Sequence, residues 1–202
     1  MMMLTRLLDG LRLARLRQSA VRYAEHGWDV VPGAVRCGDR FRCVAQCPTV
    51  ACHPDWLGWE QTSTRDPDWV AALWAFRQRA ILLATGRAFD VLEVPAFLGA
   101  GAERGALRGP VAVTGVGRWM FLVRPAAALH RAFLDRADVV LHGPGSWIPA
   151  PPTLTLEGRV RWLVDPEEVH WRLPDAQAVQ AKLAAALPPS PERRPRPQPR
   201  IA

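Results

Sequence analysis

Apolar residues return along this chain at two spacings, one helical and one strand-like. Between about Leu4 and His26, the residues Leu4, Leu7, Leu8, Leu11, Leu13, Leu16, Ala20 and Tyr23 recur near the 3.6-residue period, with arginines on much of the remainder. That pattern predicts a helix packing one face on a core. Gly27 ends it, and Trp28 to Gly33 reads as a short strand with a turn. Thr64-Arg65-Asp66-Pro67 opens a second helix, a capping residue standing ahead of a first-turn proline, with Trp69, Val70, Leu73, Trp74 and Phe76 as its apolar side. The apolar run 81–84, the turn Thr85-Gly86-Arg87 and a strand from Phe89 to Val94 follow; Pro95 stops that strand or confines it to an edge. Further strands are expected at 111–114 and 118–123, joined tightly through Gly115 and Gly117, then at 139–141, 147–149 and 159–164. Helices are expected around 126–133 and at 175–187.

A strand-heavy middle between helical ends is the pattern of a mixed α/β domain, and 202 residues suffice for one core. The expectation is a single domain over 1–187. From Pro188 the composition turns to Pro and Arg, which cannot build a core, so 188–202 reads as a disordered basic tail open to a protein partner. The formal charge of +7 is carried by arginine, since Lys182 is the only lysine. This basicity reads either as a phosphate-binding surface or as an ordinary solvated surface written by GC-rich coding. Arg6, Arg12, Arg15, Arg17 and Arg22 interrupt the first thirty residues, which leaves no secretory apolar segment and no membrane span. A cytoplasmic protein is expected, and its thiols stay reduced.

Under those conditions the cysteines between Cys37 and Cys52 read as metal ligands rather than disulfides. Cys37, Cys43, Cys47, Cys52 and His53 lie in a segment with little secondary-structure pattern, where tetrahedral zinc replaces a missing core. The chosen ligand set is Cys37, Cys43, Cys47 and His53 around a structural zinc, with Cys52 as the competing fourth ligand. The spacing is irregular beside paired CxxC knuckles, and unmetallated thiols in a loop are the alternative.

Three segments carry a further signal: Thr85-Gly86-Arg87-Ala88-Phe89-Asp90-Val91-Leu92-Glu93-Val94-Pro95, then Thr114-Gly115-Val116-Gly117-Arg118-Trp119-Met120-Phe121, then Gly143-Pro144-Gly145-Ser146-Trp147-Ile148-Pro149-Ala150-Pro151-Pro152. In this order and spacing they resemble the bifunctional DNA primase/polymerase N-terminal (prim-pol) domain of the archaeo-eukaryotic primase superfamily, over roughly residues 20–163. The resemblance is to a divergent, actinobacterial-type member, in which a Cys...Cys...Cys...His-Pro pattern recurs at this place; Cys47 and His53-Pro54 fit it best. It implies an RNA-recognition-motif-like antiparallel or mixed sheet joined to an N-terminal α/β unit, with the active site between them.

Nucleotidyl transfer needs two divalent metals, magnesium or manganese, about 4 Å apart and held by carboxylates. Two acids at i and i+2 on a strand serve, because their side chains leave the same face. The family's Asp-hydrophobic-Asp pair falls here on Glu93 and Pro95, and proline has no side-chain oxygen. Asp90 lies three residues from Glu93, on the opposite face of a regular strand, and joins it only across a bulge; otherwise it is a solvent-facing or turn-capping acid. The family's second motif ends in a phosphate-contacting histidine, replaced here by Arg118 behind Thr114 and Gly115. A guanidinium also grips phosphate, while a strand-end surface charge is the other reading. The third acidic position falls on Val140, with Asp138 two residues earlier. His142 stands where many relatives carry arginine and reads as a core or surface imidazole without a partner.

The resemblance therefore implies nucleotide or single-stranded DNA binding with a degenerate nucleotidyltransferase site: Glu93 on a metal, Arg87 and Arg118 towards phosphates, Trp147 beside sugar or base. An active enzyme using Asp90, Glu93 and Asp138 is one alternative. An adaptor presenting the cysteine loop and the tail is another. No Walker A motif is present, so this chain carries no P-loop ATPase.

Overall fold

The computed structural model describes residues 2–103, 109–125 and 128–187. Its chain order is α1 (Met2–Glu25), β1 (Val30–Cys37), β2 (Arg40–Arg42), α2 (Trp59–Thr62), α3 (Pro67–Leu73), β3 (Arg79–Ala84), β4 (Asp90–Val94), α4 (Ala96–Glu103), β5 (Val111–Val113), β6 (Trp119–Val123), a 3-10 turn (Arg131–Phe133), β7 (Val140–His142), β8 (Trp147–Pro149), β9 (Leu154–Thr155), β10 (Gly158–Arg159), β11 (Arg161–Val164) and α5 (Ala176–Ala185). The class is mixed α/β with antiparallel sheets. One sheet runs β2-β1-β3-β8, a second β11-β5-β6-β4-β7, and β9 with β10 forms a separate hairpin.

Period-two alternation decides which side chains share a layer. Val30, Ile81, Leu83 and Ile148 from the first sheet meet Val91, Ala112, Met120 and Leu122 from the second in one buried cluster, closed by Ala20, Tyr23 and Ala24 of α1 and by Val70 and Trp74 of α3. Tyr23, Trp28, Phe89, Trp162 and Trp171 pack there edge-on or stacked. Burial pushes the Tyr23 phenol far up, and its hydroxyl donates to the Pro151 carbonyl (2.7 Å), tying α1 to the Pro-Pro segment. The opposite face of the second sheet, with Leu92, Val94, Phe121 and Val123, lies under Leu98 of α4 and Val179 and Leu183 of α5. The opposite face of the first sheet, with Val31, Ala34, Phe41, Leu82 and Ala84, carries the cysteine loop.

Several expectations need correction. Trp69 and Phe76 are exposed, leaving Val70 and Trp74 as the buried face of α3, whose start is capped as predicted by the Asp66 carboxylate accepting from the Asp68 and Trp69 amides. Pro95 ends β4, which is an interior strand between β6 and β7, and α4 begins at the next residue; that helix was not expected. Over 126–133 the described residues hold only the 3-10 turn, and residues 126 and 127 lie outside them. Leu7, Leu8 and Leu11 of α1 do not join the core and are exposed. The tail 188–202 lies outside the described residues. No described helix is long and apolar enough to cross a membrane.

Candidate nucleotide site and metal centre

The three motif segments, separated in sequence, converge through one chain of hydrogen bonds. The Thr85 amide donates to the Ser146 carbonyl (2.9 Å) and the Thr85 hydroxyl to the Gly143 carbonyl (2.6 Å), which stitches the turn after β3 to the turn between β7 and β8. Gly86, at φ 94°, is pressed onto Pro144, where a Cβ would come within 2.3 Å of the proline Cα, so only glycine fits. Ser146 Oγ lies 3.0 Å from His142 Nδ1, and His142 Nε2 lies 2.9 Å from Glu93 Oε2. Arg118 Nε donates to Glu93 Oε1 at 2.5 Å, and the Arg118 amide donates to the Thr114 hydroxyl (3.1 Å).

Glu93 thus sits half-buried between a guanidinium and an imidazole. Burial disfavours its charge, but the hydrogen bonds from His142 and Arg118 and their positive charge outweigh that and hold the carboxyl below its ordinary range. Arg118 is therefore part of an ion pair rather than a strand-end surface charge. His142, expected without a partner, has one on each ring nitrogen. The signal that would have found it is the pairing of β4 with β7, which sets Glu93 opposite Val140 and His142 opposite Val91, two rungs along and on the same face.

The remaining acids lie elsewhere. β4 pairs with β6 in unbroken register from Asp90 opposite Val123 to Val94 opposite Trp119. Without a bulge, Asp90 and Glu93 leave opposite faces, and Asp90 is buried away from the Arg118 side. Asp138 holds Arg136 through both oxygens, at 3.0 and 2.6 Å. At Pro95 and Val140 there is no donor. Among the described residues, the donor set at this place is one carboxylate with both oxygens engaged, which does not fit a pair of divalent ions.

Arg87, largely exposed, lies 3.4 Å from the buried Asp29, which Arg65 holds at 2.6 Å. Gly115 is packed on the β9–β10 turn, where a Cβ would meet the Glu157 carbonyl at 2.3 Å, so its role there is close packing. Trp147 pairs with Ala84 and packs on the cysteine-loop side of the first sheet, away from the face that carries Glu93.

In the cysteine loop, Cys43, Cys47 and His53 bring one donor atom each within 4.8 Å of one another. Cys47 Sγ is 3.3 Å from Cys43 Sγ and 3.2 Å from His53 Nε2, while His53 Nδ1 lies 2.7 Å from the Ala51 carbonyl. A proton on Nδ1, donated to that carbonyl, leaves Nε2 as the lone-pair donor a metal needs. Burial works against the Cys43 thiolate, but the Cys47 amide and thiol and the Ala45 amide overcome it and lower the thiol. Backbone bonds hold the loop in place, from the Ala34 amide to the His53 carbonyl (2.8 Å) and from the Asp55 amide to the Pro32 carbonyl (2.9 Å). Asp55 also pairs with Arg79 beneath the sheet. This cluster could hold a metal such as zinc. Cys37, exposed, and Cys52, whose thiol burial and Glu157 push up to about 12, stand outside it. The expected four-ligand set is thus reduced to three donors brought together.

A family model described as bifunctional DNA primase/polymerase, N-terminal, matches residues 20–189. Searches of the curated proteins and of the solved structures gave no match.

Proposed function

The chain belongs to the bifunctional DNA primase/polymerase N-terminal family, and from that premise we propose that it binds nucleotides or single-stranded DNA while its template-directed synthesis is impaired. One observation carries the reading: the only motif acid that faces the site, Glu93, has both oxygens committed to Arg118 and His142. Where the reaction calls for a metal pair held by several carboxylates, this chain offers a carboxylate already neutralised by its own cations. Those cations are the groups a phosphate would seek. A triphosphate competing with Glu93 is gripped by Arg118 and His142, and Arg87, exposed on the turn stitched to Ser146, extends the cationic rim. Thr114 positions Arg118 through its amide.

Under this reading the second sheet is the family's RNA-recognition-motif-like unit. The cysteine loop is a structural zinc knuckle of actinobacterial type: Cys43, Cys47 and His53 hold the ion, and the ion fixes the loop on the outer face of the first sheet. The active-enzyme alternative needs Asp90 and Asp138 to join Glu93, and the continuous β4 register and the Arg136 pair count against it.

The test is incorporation of labelled nucleotides on primed and unprimed single-stranded templates with magnesium or manganese, alongside nucleotide binding in chelator. Binding without incorporation is the expected result. Incorporation by the wild type that Glu93→Ala abolishes would overturn the impaired-site reading. Absence of both activities would leave the adaptor alternative.

A further inference from the structure

A cleft of about 440 Å³ opens along α1 over residues 8–16, and no residue of the Glu93 network lines it. Its walls are one face of α1 (Leu8, Leu11, Arg12, Arg15, Leu16), the β1–β2 hairpin and the segment after Pro152. The α1 residues follow i, i+3, i+4, i+7 and i+8, the spacing of a single helical face. Among the described residues the N-terminal part of that face is uncovered, with Leu8 and Leu11 48% and 60% exposed, while Leu16 packs against the aromatic core.

The charge around the cleft has one sign. Arg12, Arg15, Arg36, Arg79 and Arg159 line it, and no Asp or Glu does. Asp55 neutralises Arg79 from beneath. Arg12, Arg15 and Arg36 make no ion pair among the described residues, and Arg159 donates only to the Pro152 carbonyl, at 3.2 Å. Among the described residues, four guanidiniums therefore surround an aliphatic floor without a counter-charge.

We propose that this cleft docks an acidic amphipathic helix of a partner protein, with aliphatic anchors seated between Leu8, Leu11 and Leu16 and carboxylates paired to the surrounding arginines. Charge complementarity selects the occupant. A second copy through the same face would set arginine against arginine, and the chain's own tail brings Arg193, Arg194, Arg196 and Arg200 against a single Glu192. Nucleic acid supplies the charge, but single strands gain affinity by stacking bases on exposed aromatic rings, and the one aromatic in the lining, Phe41, is buried. Aliphatic side chains at helical spacing match the i, i+3, i+4 and i+7 anchors of a helix laid in a groove.

Fluorescence anisotropy with two synthetic peptides tests the proposal. One has leucines at i, i+3, i+4 and i+7 and glutamates between; the other has the same composition shuffled so that its leucines share no face. The patterned peptide is expected to bind at least about tenfold more tightly than the shuffled one, a difference lost in Leu11→Glu and kept in Leu134→Glu, an exposed site outside the cleft. Arg15→Glu should weaken the acidic peptide and strengthen a lysine-for-glutamate version. Equal binding of patterned and shuffled peptides, or no saturable binding of either, overturns the proposal. So does loss of oligothymidylate binding in Leu11→Glu and Arg15→Glu, which would make the cleft a nucleic-acid track, or a dimer that Leu11→Glu dissolves. None of these outcomes depends on whether the Glu93 site binds nucleotide.

Discussion

At Glu93 two strands and a turn settle one carboxylate. Its folded pKa lies below the ordinary 4.5 because the His142 and Arg118 hydrogen bonds outweigh burial. A depressed carboxyl contributes stability above its unfolded pKa and loses it as pH falls through the folded value. Glu93→Gln should therefore unfold about 1–2 kcal/mol more easily at pH 7, the order of a charged hydrogen bond that is partly screened. Urea midpoints for the two proteins should converge as pH drops below about 4.5. A gap that stayed constant with pH would mean the ion pair contributes nothing. Glu93 and Arg118 stand out in the sequence because their motifs are local. Their interaction, and the partnership with His142, does not, because it depends on strands meeting from 25 and 49 residues away.

Elements with local causes were the most legible. The Asp66-Pro67 start of α3, the β5–β6 connection and α5 follow from capping, glycine and periodicity. Where a helical period was read as a core face, it failed wherever the fold supplied no neighbour, as at Leu8 and Leu11 on α1 and at Trp69 and Phe76 by α3. Periodicity says which residues share a face and not whether another element covers it. The cysteine loop is the converse case: its residue types suggested a metal, and the fold selected which donors meet. Metal analysis should find about one zinc per chain, retained in Cys52→Ser and lost in Cys47→Ser, with a lower melting temperature for the latter. Zinc near zero in wild-type protein would rule the centre out.

Across the whole molecule, the net charge of +7 bears on the DNA half of the proposed function. Binding to oligothymidylate should weaken linearly on a log–log plot against salt, by about 0.7 per neutralised phosphate for a single strand. A flat titration would remove DNA as a ligand. The sequence by itself determined the α/β class, the succession of most strands, the family framework and the residue types of both candidate sites, since these rest on short-range pattern and covalent order. Only the tertiary structure decided that Asp90 turns away from Glu93, that Arg118 and His142 close on that carboxylate, that Trp147 faces the cysteine loop, and that Leu8 and Leu11 of α1 stay exposed beside an arginine-rimmed cleft. Each of these depends on strand register and layer packing between distant segments, and a one-residue change of register would exchange the two faces without altering the pattern along the chain.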